Sequence, residues 1–276
     1  MKKTLAVLIL LLAAISIFAE EAEEKTFDLS LQFKDKEIIK SYSKITVNGQ
    51  SATMDKITPF KSLFDGIVSE KTIEITKDKT AKKILEHNFK DIQSANEKVS
   101  QMVKPKTIGF EIDAKGKFYN ILDNKGQITQ KVTGSSNQFP EKPVKVGDTW
   151  ESNNSFSGIT IKTQSTLKEV KEVGKKRFAV INIVIDTPID ISVLMQLMGV
   201  TSSSLGGYDQ LQFLGYCKGN GEIVLDVDKG QMVRQKINTM LSYQGGLYGQ
   251  VIMQGQYQVT SEQTQFTDAD YKKYAK

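Results

Sequence analysis

The chain has 276 residues and a formal net charge of +5, with 37 basic residues interleaved among 32 acidic ones rather than gathered into a stripe. That distribution offers nucleic acid no counterion-releasing surface. One cysteine, Cys217, and one histidine, His87, exclude an intramolecular disulfide and a Cys/His zinc set, so packing must hold a chain long enough to bury a substantial core.

Met1-Lys2-Lys3 opens the sequence, an apolar run extends from Leu5 to Phe18, and Ala19 precedes the acidic stretch Glu20-Glu21-Ala22-Glu23-Glu24. A charged start, a short apolar run and a small residue are the order of a cleavable secretory signal. The run is shorter than the roughly 20 residues needed to cross a bilayer, and no basic stop-transfer flank follows it. The expectation is export to the periplasm or the medium, with residues 1–19 as signal, cleavage near Ala19, and residues 20–276 as a single β-rich domain. No cysteine stands at the cleavage point to take a lipid anchor, and no transmembrane span is expected in the mature form. Loss of Lys2 and Lys3 lowers the formal charge from +5 to +3.

Phe27, Leu29, Leu31 and Phe33 then alternate with Asp28, Ser30 and Gln32. Period-two alternation marks a strand with one buried and one wet face. The same pattern predicts strands over 38–47, 71–76, 107–112, 118–122, 159–170, 177–185, 222–227, 232–241 and 247–260. From 80 to 103 the period changes: Ala81, Leu85, Phe89, Ile92, Ala95, Val99 and Met102 recur at three- and four-residue steps, with Lys82, Lys83, Glu86, Lys90 and Asp91 opposite. That spacing predicts an amphipathic helix, ended by Pro105 and laid on the concave side of the sheet. His87 falls on its charged side as a solvated residue.

Asp113-Ala114-Lys115-Gly116, Asp123-Asn124-Lys125-Gly126 and Asp228-Lys229-Gly230 share one turn chemistry. Asp bonds its own backbone and Gly takes the positive φ of a tight hairpin, which predicts antiparallel meander connections. The fold class expected is therefore mainly β (α+β): a large curved antiparallel sheet or partly open β-barrel with one long helix packed on it.

The segment Phe139-Pro140-Glu141-Lys142-Pro143-Val144-Lys145-Val146-Gly147-Asp148-Thr149-Trp150 resembles a recurring stretch in exported bacterial proteins assigned only to a domain of unknown function. The resemblance covers about residues 105–260. It implies membership of a β-rich envelope family and brings no catalytic residue with it. Physically, the prolines stiffen an extended approach, Gly147-Asp148 turns the chain, and Trp150 either packs into the core or lines a ligand cleft. The expected shape also resembles the open half-barrels that carry lipoproteins or lipids across the periplasm, an analogy of fold alone.

Residues 188–215 are apolar, with Met195 and Met198 among them, and are interrupted by Thr201-Ser202-Ser203-Ser204 and Gly206-Gly207. They read as a core-packing insertion or as a lid whose methionines adapt to an apolar guest. Cys217 reads as a small buried hydrophobe. Gly219-Asn220-Gly221 lacks the third glycine of a phosphate loop, and Asp226-Val227-Asp228-Lys229-Gly230 lacks the distal acid of a calcium loop. A short capped helix is expected from Thr267.

No enzyme, cofactor or metal signature emerges. The function expected is a non-enzymatic exported binding protein holding an apolar or lipid-like ligand in the concave face of its sheet, with Phe89, Ile92, Trp150, Met195 and Met198 facing it. The rival is a structural or interaction protein of the envelope, with a self-filled core and a protein partner. An outer-membrane barrel is disfavoured because the strand faces carry mixed charges.

Overall fold

A computed structural model describes residues 25–53, 56–94, 106–156, 159–190, 212–247 and 250–266. Its strands are β1 (Ile38–Thr53), β2 (Lys56–Ile75), β3 (Ala81–Ser94), β4 (Lys106–Ile112), β5 (Phe118–Leu122), β6 (Ile128–Lys131), β7 (Thr149–Phe156), β8 (Ile159–Val173), β9 (Lys176–Asp190), β10 (Gln212–Asp226), β11 (Gln231–Leu247) and β12 (Gln250–Gln265). They form one open antiparallel sheet in the order β6-β5-β4-β3-β2-β1-β12-β11-β10-β9-β8-β7. The meander is thus folded in half: β1 starts mid-sheet, the chain runs out to one edge, crosses to the other, and returns to place β12 beside β1.

The expected helix is overturned for the described part of its range. Leu85 and Phe89 stand one helical turn apart, but they also stand two alternation steps apart on a strand, so the spacing satisfies both periods. Pairing decides between them. β3 has ladders on both sides, with Leu85 opposite both Glu70 of β2 and Ile108 of β4. Its paired neighbours satisfy the backbone that a helix would have satisfied internally. No helix occurs among the described residues; residues 95–103 of the expected helix, the Met195 and Met198 segment, the signal and the tail from Thr267 lie outside them.

The hairpin chemistry read from the sequence holds at the Asp113 and Asp123 turns; at the third, the carboxylate that bonds the turn backbone is that of Asp226, and Asp228 binds Arg177 instead. Asp113 Oδ1 accepts from the backbone N–H groups of Lys115 and Lys117, and Asp123 Oδ1 from those of Lys125 and Gln127. Gly116 and Gly126 take φ of 80° and 82°, the left-handed conformation these turns need.

The sheet curls until its two edges approach each other. Between them runs the segment from Val132 to Asp148, which bonds to both sides: Phe139 N–H donates to the Lys115 carbonyl beside β4, and Ser136 N–H to the Asn153 carbonyl on β7. No ladder joins β6 directly to β7, so the cylinder stays open along this seam.

The stretch around Phe27 is extended, as its alternation predicts, but it is a plug rather than a strand of the sheet. Its backbone partners are loops: Phe27 bridges Val144, Leu31 N–H donates to Ala114, and Gln32 N–H donates to Gly230. Strung across one end of the cylinder, it buries Leu29 completely among Phe139, Val144, Leu167, Ala179, Ile181 and Leu225. Outward positions such as Lys44, Asp186, Lys218, Lys236 and Glu262 are polar or charged. The same face also carries exposed Val184, Leu214, Tyr216 and Met240. No described helix is long and apolar enough to cross a membrane.

Candidate functional site

Strict alternation on β9 builds the inner wall. Ile181, Ile183, Ile185, Thr187 and Ile189 are buried, while Asn182, Val184, Asp186 and Pro188 between them are exposed. Because the sheet is curled, inner residues from both of its halves line one cavity of about 400 Å³. Ile181, Ile183 and Ile185 with Ile223 of β10 make an apolar side. Phe110, Ile112 and Leu85, on β4 and β3, make a second, six strands away in sheet order and hence across the curl.

Between these two walls the lining is mixed, with Ile39, Val68, Met232 and Ile237 standing among polar side chains. On β7 and β8 stand Ser152, Asn154, Thr163 and Ser165; on β1, β11 and β12 stand Ser41, Gln235 and Gln263. Ser152 and Thr163 share a hydroxyl hydrogen bond of 2.5 Å between neighbouring strands. Among the described residues, Glu70 and Lys83 are the two charged side chains on the cavity wall. They meet each other: Lys83 Nζ donates to Glu70 Oε1 at 2.5 Å and lies 4.8 Å from the centre of the Phe33 ring. Lys83 is only 7% exposed, so its charge is compensated inside the protein rather than by water.

The far part of the interior is more apolar. Cys217 lies buried with Ile183, Ile185 and Ile189, against Leu241, Tyr243 and Met253. Burial pushes its thiol above the ordinary value and makes it a poor nucleophile. Tyr243 stacks on Tyr257 at 6.0 Å between ring centres, and Phe60 meets Tyr257 edge-on at 5.8 Å. Gly255 and Gly49 sit beneath the rings: a Cβ on Gly255 would lie 2.3 Å from the Tyr243 ring, and one on Gly49 2.7 Å from the Tyr257 ring. Burial, then the hydrogen bond to Tyr257, raises the Tyr243 phenol.

Of the five residues expected to face a ligand, Trp150 lies on the cavity wall. It also packs against the Leu29 cluster. Phe89 is half-buried on β3, its ring 5.1 Å from that of His87, and it is not among the lining residues. His87 itself is half-buried in a strand rather than solvated on a helix. Ile92 lies in β3 opposite Phe64 in register. Met195 and Met198 fall outside the described residues. The isoleucines of β9 were visible in the sequence as alternation, whereas Glu70 and Lys83 were hidden because a helical reading put Lys83 toward solvent.

The Asp226–Gly230 stretch is a hairpin turn, in which Asp226 Oδ1 accepts from Lys229 N–H and Asp228 binds Arg177. Among the described residues no three His, Cys, Asp or Glu side chains converge as a metal set. No family model matches the chain, and no curated protein sequence matches it.

Proposed function

We propose that this chain is an exported, non-enzymatic binding protein of the cell envelope that holds a small apolar or lipid-like ligand inside its curled sheet. The observation that carries this reading is the cavity itself. About 400 Å³ is enclosed by two facing apolar walls, at the small end of the range for ligand pockets and suited to one chain rather than to a diacyl lipid. The signal-like N-terminus, and the motif ending in Trp150 with its likeness to exported proteins, support the envelope address.

Native mass spectrometry of the mature protein, purified without detergent from its own host, tests the reading. A bound mass of a few hundred daltons that is lost on solvent extraction is the expected result. A bare polypeptide mass, together with no uptake of an apolar probe, overturns it.

One observation favours the rival of a structural or interaction protein: the plugged end of the cylinder is filled by the chain's own Leu29, Phe139 and Leu225. On that reading the remaining cavity stays empty, and partner capture from envelope extracts is the informative experiment.

A further inference from the structure

We infer that the cavity selects an amphiphile whose head group carries no net charge, such as a hydroxyl- or amide-headed chain, and discriminates against fatty-acid carboxylates. This inference rests on the binding reading above and narrows its ligand class.

The argument is one of charge balance. Among the described residues Glu70 and Lys83 supply the only charges on the wall, one of each sign, and they already satisfy each other at 2.5 Å. The remaining polar side chains among the described lining residues are neutral: the hydroxyls of Ser41, Ser152, Thr163 and Ser165, the amide of Asn154, and those of five glutamines, Gln235 and Gln263 among them. These groups donate and accept hydrogen bonds, which matches a hydroxyl or amide head.

An ionised head would enter as an uncompensated charge in a partly dehydrated space. To find a partner it would have to draw the buried Lys83 away from the half-buried Glu70, leaving that carboxylate without its ion-pair partner and the ammonium tied to the head alone, which is unfavourable. Phe33 adds to the hold on Lys83, because its ring face attracts the ammonium. The pair therefore acts as a neutral bolt. It keeps a cation in the wall without offering it to a passing anion.

The experiment compares monolauroylglycerol with laurate, two amphiphiles with the same chain, binding to the full mature protein at pH 8 by calorimetry. Wild type is expected to bind monolauroylglycerol at least about tenfold more tightly. Glu70→Gln frees the Lys83 charge and is expected to invert the order in favour of laurate. The double variant Glu70→Gln/Lys83→Gln, neutral without any pair, is expected to restore the wild-type preference; it also decides the matter with the wild-type ratio should Glu70→Gln fail to fold. Laurate binding to wild type as tightly as its glyceryl ester overturns the inference while leaving the binding reading intact, and so does an unchanged ratio in a folded Glu70→Gln. Binding of neither compound removes the binding reading and this inference with it.

Discussion

The indole N–H of Trp150 donates to the main-chain carbonyl of Gln138 at 2.8 Å, and the Gln138 side-chain amide in turn donates to Asn154 Oδ1 at 3.0 Å. One residue of the crossing segment is thereby fastened to two of β7, across the seam that no ladder closes. Trp150 is also the sole tryptophan of the chain and stands on the cavity wall. Its emission is expected to shift to shorter wavelength as an apolar ligand enters, saturating with the binding isotherm. Trp150→Phe keeps an aromatic ring but loses the bond and part of the indole's volume, and it should cost at least about 1 kcal/mol, read by urea unfolding with a dichroism probe.

Leu29 is fully buried on a segment held by only a few loop hydrogen bonds. Leu29→Ala leaves a cavity at the plugged end and should destabilise the protein by about 2–5 kcal/mol. Leu31→Ala, at a position only partly buried, should cost less; equal losses in denaturation midpoint would contradict the plug's role.

Asp228 accepts three hydrogen bonds from Arg177: one from the backbone N–H at 2.8 Å, one from Nε at 2.9 Å and one from Nη2 at 2.5 Å. Those bonds hold its carboxyl below the ordinary carboxylate value. With the folded value below the unfolded one, near 3.9, the contribution is present above that pH and is lost as pH falls through the folded value. Asp228→Asn should therefore lower the urea midpoint at pH 7, and the gap to wild type should close as pH falls below the unfolded carboxylate value. A gap that persists in acid would show that the charge is not its source.

Gly255 lies under the Tyr243 ring with no room for a methyl group. Gly255→Ala should destabilise by roughly 1–3 kcal/mol through overpacking. Combined with Tyr243→Ala the two losses should sum to more than the measured total, because removing the ring removes the clash. Strict additivity in a double-mutant cycle would contradict the contact.

Much of the sheet was legible because its chemistry is local. Asp-x-x-Gly turns and the alternation of Ile181, Ile183 and Ile185 need no distant partner to be read. β3 was misread for the opposite reason: Leu85 and Phe89 fit two periods, and only ladders to residues 62–75 and 106–112 settle which one applies. β2 was seen only near its end. Its inner side before residue 71 mixes Ser62, Phe64, Gly66 and Val68, and the small residues break the apolar signal. The Glu70–Lys83 pair was invisible for a further reason, since its significance lies in what it faces across the curl rather than in any spacing along the chain.

The folding of the meander in half has a consequence for the order of assembly. β2 to β6 can pair with their neighbours as soon as they are made, as can β7 to β12, because every ladder within each half joins consecutive strands. The second edge of β1 is different: its partner is residues 253–265, from 200 to 224 positions away. Nascent from the N-terminal end, the first strand formed is the last completed, and its bare edge stands open while the rest of the sheet is built. Contacts of such long range slow folding, and an unpaired edge invites pairing with other chains. Polar Lys44, Asn48 and Gln50 along β1 are the residues that guard that interval.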